Sequence, residues 1–315
     1  MSDLSKQYNR GAGLKKIASG LRLFLLAGFI ILVFVEAFFS REGAVAEGTA
    51  ASLQGKYRSL QDKFNQNQFK RPLYIESHEN GEALQGEVYV VLDYPFGALS
   101  KLLKDPSAWC DILSLHFNIK YCQADITKSS RIILAYVGRK FEQPLEQASP
   151  VCLTFHAENG VPDHFRVVLN AESGPFNTHN YRIMLESIPL ERGQTFIRLS
   201  YSYETSMMAK LAMKIYLGTL GSGKVGFTVV GRDADGRPIY TENIRGVMER
   251  NAMRYYLAME AYLDALSLPP AQQLEARLQN WFAATERYAL QLHEMDRGEY
   301  LAMKHREYAR QISSP

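Results

Sequence analysis

The segment Arg245–Leu266, RGVMERNAMRYYLAMEAYLDAL, decides the fold. Met248, Ala252, Tyr255, Met259, Tyr262 and Leu266 recur at alternating intervals of four and three, which puts them on one continuous apolar stripe of a helix. Pro269-Pro270 ends that helix. In most helices such a stripe is core. Methionine adapts its shape and tyrosine offers a hydroxyl, so the same stripe also suits the wall of a cavity.

Upstream of it the chain reads as strand, helix and a series of strands. Gly86–Tyr94 is β-branched and aromatic, a first strand, and Pro95 opens a helix carrying Leu99, Leu102 and Leu103 that Pro106 breaks near Trp109. Strand-like runs follow at Asn118–Ile126, Arg131–Arg139, Val151–Ala157, His164–Ala171, Asn180–Ile188 and Thr195–Glu204. Their connections (Asn159-Gly160, Ser173-Gly174-Pro175, Arg192-Gly193) are hairpin material, so neighbouring strands are expected to be antiparallel. Alternation puts Phe165, Val167, Leu169, Tyr181, Ile183, Leu185, Ile197, Leu199, Tyr201 and Tyr203 on one face. Arg166, Arg182, Glu186, Arg198 and Glu204 fall on the other. Residues 206–217 have a helical pattern, a short strand is expected at Val225–Val230 with an Asp235-Gly236 turn after it, and two further helical segments follow Pro270.

This order resembles the START-like, or polyketide-cyclase-like (SRPBCC), superfamily over roughly residues 86–266. The resemblance implies an α+β helix-grip fold, a curved antiparallel sheet around a long C-terminal helix, here with extra C-terminal helices. It also implies a cavity between sheet and helix for a lipid, sterol, polyketide or similar apolar molecule. No diagnostic motif carries site residues across. The cavity candidates are therefore the inward face above together with Met248, Tyr255, Met259 and Tyr262, and Arg182 and Arg198, with Glu186 or Glu204 as partners, are the candidate polar handles. The simpler reading of those four charged residues is a solvated face paired across strands.

The 315 residues divide into a leader (1–46), a helical lead-in (47–85, with Tyr57, Leu60 and Phe64 on one face), the grip domain (86–268) and a C-terminal helical extension (269–315). The chain has 36 basic and 33 acidic residues, and the leader holds six and three of them, leaving 30 of each. A neutral body lacks the electrostatic footprint of a nucleic-acid binder. In the leader, Lys15, Lys16 and Arg22 precede an apolar run from Leu23 to Val35, and Ala44-Val45-Ala46 supplies a cleavage-like stretch. Thirteen apolar residues span about 20 Å as a helix, short of a ~30 Å hydrocarbon core, which favours an export signal over an inner-membrane anchor. A periplasmic or otherwise exported location is expected, with the two uses of the leader left open. In an oxidising compartment Cys110 and Cys122 either pair or stay, with Cys152, as buried thiols.

Several motifs mislead. Gly218-Thr-Leu-Gly-Ser-Gly-Lys224 has phosphate-loop spacing, but Val225 stands where a metal-binding hydroxyl belongs and the order is helix to strand, so no nucleotide is expected. His156-Ala-Glu158 lacks the Cys pair of a zinc deaminase, and none of the histidines has ligand spacing on a helix. No metal, cofactor or catalytic residue is expected. The basic tail (Arg297, Lys304, His305, Arg306, Arg310) suits either a solvated helix end or an anionic membrane surface. The leading function is an exported, non-catalytic carrier of a hydrophobic small molecule or lipid. Two alternatives are a cyclase- or aromatase-type enzyme using the same cavity, and an envelope interaction protein with a filled core.

Overall fold

Eight strands form one antiparallel sheet in the order β1-β2-β8-β7-β6-β5-β4-β3. They are β1 (Leu73–Asn80), β2 (Ala83–Leu92), β3 (Ile119–Asp125), β4 (Ile132–Val137), β5 (Ser149–Ala157), β6 (Phe165–Gly174), β7 (Thr178–Pro189) and β8 (Thr195–Thr205). The computed structural model describes residues 49–125, 131–158, 162–208, 210 and 223–313. The leader, most of the 206–217 segment, the Asn159-Gly160 turn and the loop before Gly223 lie outside the described residues. Among the described residues no helix is long and apolar enough to cross a membrane.

The chain pairs β1 with β2 as a hairpin and then leaves the sheet through two helices, α1 and α2 having come earlier, before β1 (Ala50–Ser59 and Gln61–Asn65). The departing pair are α3 (Phe96–Leu103) and α4 (Pro106–Leu113), so Pro106 ends one helix and sits in the first turn of the next, with Asp105 capping it. From α4 the chain enters the far edge at β3 and meanders back until β8 closes against β2, with Gly86 opposite Tyr201 and Val88 opposite Leu199. A small hairpin, β9 (Val229–Arg232) and β10 (Pro238–Tyr240), then precedes the long helix α5 (Asn243–Ala265). The C-terminal segment forms α6 (Pro270–Glu286), the short α7 (Ala289–Leu292) and α8 (Arg297–Ser313).

The sheet begins at Leu73, inside the segment read from sequence as a helical lead-in. Its first strand is polar (Glu76, Ser77, His78) because it is an edge, and only Leu73, Ile75 and Ser77 alternate inward. Helices α1 and α2 cover the outer face, where Leu53, Leu60 and Phe64 pack on Tyr89, Ile188 and Phe196. Cys110 of α4 and Cys122 of β3 are joined in a disulfide, which ties the crossover to the sheet edge and contributes about 3 kcal/mol in the chain-entropy model.

Helix α5 crosses the inner face on β1, β2 and β8. Contact is closest at Gly86, where an added Cβ would lie 2.6 Å from the Met248 carbonyl oxygen. Glu249, fully buried, fixes the helix start: it accepts from the Phe227 and Thr228 amides at 2.6 and 2.9 Å and from the Ser77 and Thr228 hydroxyls at 2.8 and 2.7 Å. The far side of α5 is buried as well, chiefly by α6, and α8 packs in turn on α6 and β3. The C-terminal extension is therefore part of the same core, with Trp281 and Tyr300 fully buried in it.

The basic residues of the tail are engaged within the molecule. Arg297 donates to Gln279, His305 contacts Glu275, Arg306 pairs with Glu142, and Arg310 donates to the Gln143 carbonyl. Lys304 is buried, donating to the carbonyls of His116 and Ile119 at 2.7 and 2.9 Å and to Glu307 at 2.8 Å. Burial pushes its ammonium down from 10.5 to about 8. Between about pH 8 and its ordinary value the unfolded chain therefore binds this proton more tightly than the native one, and stability rises with pH. A gain of about 1–2 kcal/mol is expected from pH 8 to 9.5, measured by urea unfolding, and Lys304→Met should flatten that rise.

Candidate functional site

Every residue proposed from sequence for the cavity wall belongs to one apolar cluster between the sheet and α5, Tyr181 and Tyr255 being its half-buried members. The facing pairs are set by register: Val167 opposite Leu185, Leu169 opposite Ile183, Ile183 opposite Tyr201. Met248 and Met259 are fully buried against the sheet side. Tyr262, also in the cluster, has its ring under the Arg277 guanidinium of α6, 4.4 Å away, near the end of α5.

Four tyrosines meet on the α5 side of the sheet, near the beginning of β7 and the end of β8. Tyr201 lies 5.3 Å from Tyr255, 6.3 Å from Tyr181 and 5.8 Å from Tyr203, and Tyr181 stacks on Tyr203 at 5.2 Å. Gly174 makes room for the group, since a Cβ there would fall 2.2 Å from the Tyr181 ring. Burial raises the pKa of all four phenols, so they are neutral hydroxyls. Those of Tyr203 and Tyr255 have no hydrogen-bond partner among the described residues. Tyr255 sits in the chain between Arg254 and Tyr256, 2% and 0% exposed, yet it keeps accessible surface.

The sequence reading missed His116, which completes the group. It lies in the turn between α4 and β3, 3% exposed, with its ring stacked on Tyr255 at 5.0 Å. Its Nδ1 accepts from the Asn118 amide at 3.1 Å, so the proton of the neutral ring is on Nε2. Burial, reinforced by the Arg254 charge, holds its pKa well below the usual histidine range. The Nε2 atom is buried without a hydrogen-bond partner. Only a local turn preceded His116 in sequence, and no spacing rule singles out such a residue.

The polar-handle candidates are not in this interior. Arg198 lies on the outer face, donating to Glu87 at 2.7 Å and to Glu186 at 3.2 Å, and both carboxylates are buried there. Arg182 and Glu204 alternate to the same side, with Glu204 accepting from Asn180 at 2.7 Å. Strand alternation sends these groups away from Tyr181, Tyr201 and Tyr203, and there Arg198 pairs with Glu186 across strands, the glutamate being buried rather than solvated. Arg198→Met should leave the affinity for an apolar ligand unchanged while lowering stability by about 2 kcal/mol, since two buried carboxylates lose their cation. Parallel titration and unfolding of the variant check both halves.

Glu76, His78 and Glu87 on the same outer face bring ligand-type atoms within 4.8 Å of one another. Lys56 on Glu76, at 2.7 Å, and Arg198 on Glu87 already supply positive charge to that group. Of the phosphate-loop pattern, Lys224 is described, and its ammonium is held by the His293 carbonyl, 3.8 Å from Glu294.

The sheet order, the paired-helix crossover to the far edge and the long helix across the inner face make the assignment. The fold is an α+β helix grip. Among solved structures, the chain is similar to the human StarD13 lipid transfer and protein localization domain, at 8% identity and a TM-score of 0.30, over 48% of this chain and 81% of that one. It is similar to norcoclaurine synthase from Thalictrum flavum, at 12% identity and a TM-score of 0.30, over 46% and 91%. It is also similar to the Zhui aromatase/cyclase from Streptomyces sp. R1128, at 10% identity and a TM-score of 0.27, over 66% and 96%. At these identities the likeness stops at the fold. No family model and no curated protein matches the sequence.

Proposed function

We propose that this START-like chain binds a hydrophobic small molecule or lipid between its sheet and α5, and acts as an exported carrier. The observation that carries the reading is the half-buried Tyr255, its hydroxyl unpartnered among the described residues, facing Tyr201 across an otherwise apolar interior. A fully packed core leaves neither accessible surface nor an unused hydroxyl at its centre. The apolar run and small-residue stretch of the leader support export.

Burial of an acyl chain yields about 0.8 kcal/mol per methylene, or roughly 8 kcal/mol for ten carbons. Association costs of at least about 4 kcal/mol reduce that to weak binding by the chain alone. Native mass spectrometry of gently purified protein is expected to show a co-purified apolar molecule. A pyrene-labelled acyl probe should then bind in competition with it. Protein that emerges without any adduct and ignores the probe would refute the carrier.

A further inference from the structure

A ligand held by apolar burial alone leaves one group in this interior unexplained. His116 has its Nδ1 lone pair committed to the Asn118 amide, its carbonyl to Lys304 and its ring face to Tyr255. What remains is a single N–H donor, buried, with no acceptor. Native proteins rarely leave a buried donor unfilled, and each exception calls for a missing partner. The comparison within the molecule is His164, whose Nε2 is also unpartnered but lies 4.0 Å from the Glu186 carboxylate, so an anion is at hand on the outer face. Among the described residues no carboxylate pairs with the His116 ring. The cations that act on it (Arg254, Lys304, Lys140 and Lys120) are each paired with Glu294 or Glu307, and the N–H donor itself calls for an oxygen acceptor.

We propose that His116 is the polar end of the binding site, its Nε2–H donating to a carbonyl or similar oxygen acceptor on an otherwise apolar ligand. This rests on the binding reading above and narrows it to a ligand class: long or polycyclic apolar molecules carrying at least one oxygen acceptor, in preference to hydrocarbons. Tyr255, stacked on His116 and with its hydroxyl free among the described residues, is the neighbour best placed to make a second contact to the same oxygen.

The test uses the full chain and two pyrene-labelled acyl probes that differ only by a ketone in place of a methylene near the end. Wild-type protein is expected to bind the ketone about tenfold more tightly, and His116→Phe, which keeps the stack on Tyr255, to bind both alike. A second measurement needs no variant. The Nε2–H proton resonance of ¹⁵N-histidine-labelled protein should move downfield on adding the ketone and stay in place with the hydrocarbon. Equal binding of both probes with no selective shift overturns the proposal, leaves the carrier standing and assigns the donor to a buried water. Failure of both probes to bind overturns carrier and proposal together.

Discussion

Trp281→Ala is expected to cost about 4 kcal/mol of unfolding free energy, and a chain ending at Leu268 is expected not to fold. The indole is fully buried, donates to the Arg254 carbonyl at 3.1 Å, and packs on Phe117 at 4.8 Å and Tyr300 at 5.1 Å. Its removal leaves a cavity between α5, α8 and the turn carrying Phe117, and strips a donor from the middle of α5. The loss extends to the site. Phe117 follows His116 in the same turn, and the Lys304 ammonium of α8 holds that turn by two carbonyls. Urea unfolding of the variant, followed by circular dichroism, gives the first number, and the spectrum of the shortened chain the second. Near-native stability of either would mean that α6 and α8 are an appendage rather than part of the grip.

Gly86→Val is expected to cost about 3 kcal/mol and to weaken ligand binding. The added carbon meets a backbone carbonyl at 2.6 Å and the Ala252 methyl at 3.3 Å, neither of which can rotate away. Relief requires α5 to lift from β2, which disturbs the Tyr255–Tyr201 contact farther along the same helix. Gly97→Ala is the matched control, because nothing lies within 4 Å of the carbon added there. That control should be neutral or slightly stabilising. Stability and acyl-probe affinity, measured for both, separate a general glycine effect from this one close approach.

Much of this architecture could be read from residue order. The strands from β3 to β8 fall within a few residues of their expected places, because apolar residues recur at every second position on the face toward α5, as Phe165-Val167-Leu169 and Ile197-Leu199-Tyr201 do. The stripe from Met248 to Leu266 announces α5 for the same reason at helical period. Edge strand β1 was not legible, since an edge with a partly wet face carries little apolar pattern. The site was legible in part. Tyr181, Tyr201, Tyr203 and Tyr255 follow from periodicity, whereas the contact of Tyr262, on the same stripe, with Arg277 of α6 does not.

The sequence by itself determined which faces are apolar, because a side chain's inward or outward direction is set by the two-residue and 3.6-residue periods of its own element. Only the tertiary structure decided what those faces meet: that Gly86 must be bare for α5 to pass, that Arg198 spends its charge on Glu87 and Glu186 outside the grip, and that His116 reaches Tyr255. Those contacts join residues far apart in the chain, where sheet order and the angle of one helix across it set the distance, and no local pattern records either.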